Sequence, residues 1–366
     1  MKKLNNLEIY APGLITFLLL VCITAGVILT NQYDPLELAQ LGTIYSEDNP
    51  QGTEGYDGQF SYYIAKEPNP DLVSKYLDVP AYRYQRILLP ILARIFSLGN
   101  PQVIPWMLPV IGILVHTIAT IVLSWLLKNW NINPWYALSY SLWAGFTLAI
   151  RLDLPEPLAY GCVILAIYFY RKESDLLGAL FFCLALFAKE VTILFVLAST
   201  ISFLFQKRWR SLAILVVIAL IPFAIFQFWL RNVFGTFGFN SGGLNSTSFE
   251  TIPFMGLFRI GVYSLLYMIM MAIAFLPCTI GPAIWGSITS IKILPRLDDK
   301  TIPIAVILNS LLILFLPFST FRETGGLLRV SSGLILATLC LAAQVKQIKL
   351  LRYSYLWIIY NLFLLK

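Results

Sequence analysis

Ala11-Pro-Gly-Leu-Ile-Thr-Phe-Leu-Leu-Leu20-Val-Cys-Ile-Thr-Ala-Gly-Val-Ile-Leu-Thr30 is an unbroken run without a charged side chain. Twenty residues at 1.5 Å rise cover about 30 Å as a helix, the thickness of a bilayer's hydrocarbon core. A helix also satisfies its own backbone there, where no water is available to do so. The run follows Lys2 and Lys3 and shows no small-residue cleavage pattern, so it reads as an uncleaved anchor.

Apolar runs recur along the chain at 103–127, 135–150, 157–170, 176–188, 191–205, 211–230, 254–276, 302–318 and 328–345. Pro277, Gly281 and Pro282 interrupt the run that starts at 254, which stays apolar to Ile291. Residues 353–365 are too short to assign as spanning or interfacial. The composition agrees. Of 366 residues 58% are apolar and 12% charged, about half the ~25% charge of a soluble domain, and mean hydropathy is +0.76. A soluble globular enzyme, a disordered chain and a nucleic-acid reader are excluded. The expected fold is all-α, a polytopic membrane protein of about 10–11 transmembrane helices. The five cysteines (Cys22, Cys162, Cys183, Cys278, Cys340) lie in apolar stretches and form no CxxC pair, so neither a disulfide framework nor a zinc site is indicated.

The net charge of +7 mostly reports topology. With the N-terminus in the cytoplasm and one crossing per run, Lys128, Arg171–Lys172, Lys207–Arg208–Arg210, Lys292–Arg296–Lys300 and Lys346–Lys349–Arg352 all fall inside. Splitting 254–291 into two spans would send the 292–300 cluster outside, so it is expected to cross once. Two stretches carry charges mid-run: 135–170, broken by Arg151-Leu-Asp153-Leu-Pro-Glu156-Pro, and 176–205, broken by Lys189-Glu190. Each is expected to be a hairpin with arms of about 20–24 Å, shorter than the bilayer core. Both tips then stop below the outer surface and line a wet cavity with Arg151, Asp153, Glu156, Lys189 and Glu190, since ionisable groups at that depth need water or partners.

The longest polar stretch, Asn31 to Ala81, opens an expected outer loop over 31–102. In Glu54-Gly-Tyr-Asp57-Gly-Gln-Phe60-Ser-Tyr-Tyr-Ile-Ala65 an acid lies between glycines, which permit a sharp turn and close approach of a ligand to the backbone. Phe60, Tyr63 and Ile64 then fall at i, i+3, i+4, the pattern of a short helix lying on the membrane. Tyr82-Arg83-Tyr-Gln-Arg86-Ile-Leu-Leu-Pro90-Ile-Leu-Ala-Arg94-Ile-Phe96 reads as a second interfacial helix.

The pattern Tyr-Asp-Gly-Gln-Phe-x-x-Tyr-Ile-Ala, followed by Arg-x-x-Arg-Ile-Leu-x-Pro, resembles the first outer loop of GT-C glycosyltransferases. The likeness is nearest to GPI-mannosyltransferase-like members and bacterial cell-surface glycopolymer proteins, and Lys189-Glu190 resembles a basic hairpin tip of that superfamily. It covers residues 1–230, followed by an outer loop at 231–253 and variable membrane helices over 254–366. The resemblance implies catalysis outside the cytoplasm, in a bacterial inner membrane, with a polyprenyl-phosphate sugar as donor. It puts Asp57 at the position of the family's first-loop carboxylate. Many relatives carry a tight pair of acids there, whereas Glu54 and Asp57 are three apart, which leaves open which of them is the base or whether both act.

Inverting sugar transfer needs a carboxylate to take the acceptor's proton and cations to stabilise the phosphate left behind. Asp57 is the expected base, with Glu54 beside it. Lys189, Arg231, Arg322 and Arg329 are candidate phosphate ligands, and Arg83 either joins them or, with Arg86, holds lipid headgroups. Tyr56, Gln59, Arg151, Asp153, Glu156 and Glu190 complete the candidate substrate-binding set. The partners expected are a lipid-linked sugar donor and a glycan or lipid acceptor, with no nucleic acid. A divalent metal on Asp57 with Glu54 or Glu156 is compatible with these side chains, although no ligand set is legible. His116, without a second imidazole, is expected to make an interhelical hydrogen bond. A transporter or flippase of a lipid-linked glycan is the rival reading. Transporters place helix breaks at matching points of two halves, and no internal repeat is present.

Overall fold

The computed structural model describes residues 7–240 and 242–364. Lys2, Lys3 and Lys366 lie outside them. The described residues are helical throughout, 78% helix with no strand. Four helices are long and apolar enough to cross a bilayer: Leu7–Thr30, Ile104–Asn129, Trp209–Phe234 and Leu265–Arg296. Thr324–Val330 and Ser332–Gln344, bent by 41°, make a fifth if taken together. Asp175–Ala188, Glu190–Gln206 and Thr301–Leu314 are apolar but shorter. By length alone, fewer helices qualify as spans than the ten or eleven expected.

In two of the long helices prolines are met by widened, π-type turns, at Val216–Leu220, just before Pro222, and at Leu276–Ile280 around Pro277. A proline has no N–H and crowds the carbonyl four residues back, and a wider turn relieves both faults. The carbonyl of Pro277 accepts bonds from the Tyr353 hydroxyl (3.0 Å) and Trp357 Nε1 (2.9 Å), which fastens the C-terminal segment to the body. The expected single helix from 254 is broken at Ser264, whose extended backbone ends Met255–Tyr263 and whose Oγ caps the next helix at the Tyr267 amide. The span therefore starts at Leu265.

Burial separates two kinds of helix. Ile221, Ile225 and Phe228 of Trp209–Phe234 stay exposed, as do Met270, Ile273, Ile284 and Ile291 of Leu265–Arg296. Bare apolar stripes of this kind suit a lipid-facing surface and not a water-facing one. Ser332–Gln344, in contrast, is buried on nearly every side and packs on Thr301–Leu314 at the centre. His116 sits buried in Ile104–Asn129 with Nε2 3.0 Å from the Ser141 carbonyl, the interhelical bond its solitude suggested.

The 176–205 stretch is a hairpin. Arg208 Nη2 lies 2.9 Å from Asp175 Oδ1, whereas a continuous helix would hold these positions about 50 Å apart. Asp175–Ala188 and Ile193–Gln206 meet at Lys189, whose backbone is extended. The first stretch also turns back, at Leu152–Pro155, but its leading arm is broken into Pro134–Tyr136, Ala137–Ser141 and Ala144–Arg151. The break is held from outside: Asn361 Nδ2 donates to the Leu142 carbonyl (2.6 Å) and Trp143 Nε1 to that of Leu328 (3.1 Å).

The 31–102 segment folds onto the bundle in short helices. Gly58–Lys66 forms where the sequence placed it, but Phe60, Tyr63 and Ile64 are buried against Leu88–Phe96 and Ile104–Asn129. This corrects the expectation of a membrane-lying face. Arg94 donates to the carbonyls of Ala65 and Lys66 and so caps the C-terminus of that helix. The second expected helix is two, Pro80–Tyr84 and Leu88–Phe96. Gln85, at the junction, donates to the Gly238 carbonyl and receives Gln227 Nε2.

Candidate active site

The turn around Asp57 is dictated locally. Gly55 has φ +67°, and a Cβ there would meet the Gln40 carbonyl and the Gly42 amide at 2.4 Å, so only glycine makes the turn. Gln59 staples it, accepting from the Gly42 amide (3.0 Å) and donating to the Glu54 carbonyl (2.8 Å). Asp57 then stands at the N-terminus of Gly58–Lys66. A Cβ on Gly58 would lie 2.1 Å from the Leu152 carbonyl, so this glycine serves backbone-to-backbone packing against the first hairpin's tip.

Each oxygen of Asp57 is held by one arginine. Arg83 Nη1 is 3.0 Å from Oδ1, and Arg329 Nη1 is 3.0 Å from Oδ2. Arg83 is anchored in turn: Nε and Nη2 donate to the two oxygens of Asp78, both at 2.7 Å, and the guanidinium lies over the Phe60 ring. Burial pushes the Asp57 carboxyl up, but Arg83 and Arg329, with Arg86 beyond them, outweigh it and hold it well below the usual carboxylate range. It is ionised at neutral pH and, in this arrangement, weakly basic.

Further cations continue the wall. Arg86 makes a bidentate pair with Glu190 (2.9 and 2.6 Å) and donates to the Tyr82 hydroxyl at 2.7 Å. Lys189 bonds Glu156 at 2.5 Å, and the same Glu156 oxygen is 3.7 Å from Arg329 Nη1. Tyr56 donates to Glu323 at 2.8 Å while Arg329 lies over its ring. Residues from the loop, both hairpins and the segment after 323 thus converge in charge-assisted ion pairs, of which Arg83–Asp78 and Arg86–Glu190 are bidentate and fix geometry.

They face a cavity of about 1460 Å³. Among the expected site residues Glu54, Tyr56, Asp57, Gln59, Arg83, Lys189, Glu190, Arg322 and Arg329 line it. Ile193, Leu194, Phe223, Leu312 and Leu316 give it an apolar wall, and residues 242–249 with Ser319 and Thr320 a polar one. Glu156 is fully buried behind Lys189. Three expected residues lie elsewhere. Arg151 donates to the Leu364 carbonyl. Asp153 is buried with neither oxygen hydrogen-bonded among the described residues. Arg231 is exposed over the Phe237 ring. Asp78 and Glu323 were not foreseen as site residues: neither sits in a spaced motif, and only the fold brings them to Arg83 and Tyr56. Among the described residues no group of three or more His, Cys, Asp or Glu side chains is placed to hold a metal ion.

The helix Glu156–Arg171 separates two ends of the molecule. Glu156 backs the cavity, and Arg171, about 22 Å away along the axis, borders a smaller pocket with Arg208 and Asp299. Compared with known protein families, curated proteins and solved structures, the chain matches none.

Proposed function

We propose that this chain is a membrane glycosyltransferase that moves a sugar from a polyprenyl-phosphate donor to an extracytoplasmic glycan or lipid, with inversion at the sugar carbon. The observation that carries the reading is the Asp57 carboxylate between Arg83 and Arg329 in a cavity charged on one wall and apolar on another. A lipid-linked sugar phosphate has the same two-sided character.

In such a reaction the acceptor oxygen attacks the anomeric carbon from the face opposite the phosphate. Asp57, already ionised, takes the hydroxyl proton once that oxygen lies within about 2.6–3.2 Å. Arg329 and Arg83, with Arg86 and Lys189 behind, stabilise the charge that grows on the departing phosphate. The apolar wall suits the prenyl chain, and Tyr45, Tyr56 and Phe239 offer ring faces to sugars.

Sidedness follows from charge. Arg171 and Arg208 lie at the end away from Asp57, and Lys300 belongs to the same end, its backbone N–H donating to the Ser202 hydroxyl. The positive-inside rule puts that end in the cytoplasm and the cavity outside. If the four hairpin arms, three of them about 21–26 Å long and the leading arm of the first broken, and Thr301–Leu314 are counted as crossings beside the five longer spans, the reading has about ten spans. A bacterial inner membrane is the setting the resemblance suggests. The test is an assay of the purified protein in lipid nanodiscs with a panel of labelled polyprenyl-phosphate sugars. Transfer from one donor supports the reading; no transfer from any, with movement of a lipid-linked glycan across the bilayer, moves it to a flippase.

A further inference from the structure

The wall beside Asp57 is neutral as it stands. Arg83, Arg86, Lys189 and Arg329 are each engaged by carboxylates, namely Asp57, Asp78, Glu156 and Glu190. Among the described residues these four cations are all paired, so a lipid-borne phosphate binding beside Asp57 must compete for one of them; Arg322, which also lines the cavity, lies over the Phe318 ring and belongs to none of these pairs. Two features single out where it competes. Arg83 keeps its two hydrogen bonds to Asp78 whether or not it holds Asp57, so it stays in place if Asp57 lets go. Arg329 is divided between Asp57 and Glu156, and its buried Nε has no hydrogen-bond partner among the described residues. A buried guanidinium with an idle donor is poised to take another acceptor.

We infer that Arg83 and Arg329 exchange partners during the reaction, holding Asp57 while it is ionised and turning to the lipid-borne phosphate as Asp57 takes up a proton. The inference rests on the transferase reading and adds the order of events within it. The balance closes. The bond from the acceptor oxygen to the anomeric carbon forms, and the bond from that carbon to the phosphate oxygen breaks with its electron pair going to the phosphate. The acceptor's proton goes to Asp57. The phosphate gains one negative charge as Asp57 loses one, so the total on the wall is unchanged and the two guanidiniums follow the charge. The same exchange frees Asp57 from the cations that make it a weak base only when a donor is present. An empty site therefore keeps its carboxylate quenched.

Binding without chemistry tests this. Citronellyl methyl phosphate, a diester with one charge that does not titrate near neutral pH, is measured against the full chain in nanodiscs. Asp57→Asn removes the carboxylate that Arg83 and Arg329 share, leaving Arg83 on Asp78 and Arg329 near Glu156, and is expected to bind the diester roughly tenfold tighter or better than the wild type. Adding Arg329→Gln removes that gain. Equal or weaker binding by Asp57→Asn, in protein whose thermal unfolding matches wild type, overturns the exchange. The wild type alone gives a second measurement that needs no variant: calorimetry in two buffers at pH about 4, near the ordinary aspartate value, is expected to show proton uptake on binding, and none overturns it. Dimethyl phosphate, which lacks the chain, should bind far more weakly; equal affinity overturns the assignment to a lipid. The two readings fail separately. Sugar transfer with diester affinity indifferent to Asp57→Asn sinks the exchange alone, and tighter binding without transfer from any donor sinks the transferase and leaves only the competition between Asp57 and a phosphate for the two arginines.

Discussion

Arg329 Nη1 lies 3.0 Å from Asp57 Oδ2 although 272 residues separate them, and this contact ties the segment after 323 to the N-terminal loop. Arg329 is thus a partner of the proposed base and a ligand of the proposed phosphate. Arg329→Gln is expected to lower sugar transfer by about 10²–10³-fold, the usual cost of losing one donor to a developing oxyanion. It also removes one of the cations that hold the Asp57 carboxyl low, so that carboxyl rises toward its ordinary value, with Arg83 and Arg86 still lowering it. In the wild type the acid limb of kcat/KM from Asp57 lies below the usual carboxylate range. In Arg329→Gln it moves to higher pH. A limb that does not move contradicts the electrostatic assignment.

The Lys189–Glu156 pair makes a sharper stability test, because both side chains are buried and Glu156 Oε2 has no hydrogen-bond partner among the described residues. Lys189→Met leaves the buried Glu156 carboxylate with only the more distant, shared Arg329 and is expected to cost up to about 3–5 kcal/mol. Lys189→Met with Glu156→Gln should recover most of it, since the stranded charge is gone. Thermal unfolding in detergent measures both. A double variant no better than Lys189→Met would mean the pair matters through packing and not charge.

Glycine at 58 is required by Leu152 and not by a left-handed backbone. Gly58→Ala forces the 152–155 turn away from the loop and shifts Asp57. A loss of about 1–3 kcal/mol with a fall in transfer is expected. Gly112→Ala is the contrast: its Cβ would meet only Ile150 Cγ1 at 3.8 Å, so stability should hold. Equal effects at the two glycines would contradict the packing described.

The proposed sidedness is open to labelling. In a background without native cysteines, Lys128→Cys and Arg208→Cys should react with an impermeant maleimide only after the inner face is opened, and Glu54→Cys in intact cells. The reverse pattern would invert the topology and move the cavity to the cytoplasm.

Much of this was legible in the residues. Uncharged runs announced the long helices, and Lys189-Glu190 with the basic cluster Lys207–Arg210 announced a hairpin, because a single crossing of 176–205 would send that cluster outside. The breaks at Leu142 and Gln85 were not legible. Neither is at glycine or proline, and each is held by distant partners, Asn361 for one and Gln227 with Gly238 for the other. The candidate site divides the same way. Asp57 stood out between its glycines, but Arg231 and Arg329 were equivalent as outer cations, and only packing placed Arg329 on Asp57 and the exposed Arg231 over the half-buried Phe237 ring. The i, i+3, i+4 apolar face of Gly58–Lys66 was correctly periodic, yet periodicity does not tell protein from lipid as the surface it meets.

Everything proposed passes through the Asp57 carboxylate. The most direct measurement is therefore transfer from the preferred polyprenyl-phosphate sugar by wild type, Asp57→Asn and Asp57→Ala side by side, each checked for intact folding. Loss of at least about 10²-fold in both variants is the expected result. Transfer at the wild-type rate by Asp57→Asn would contradict it.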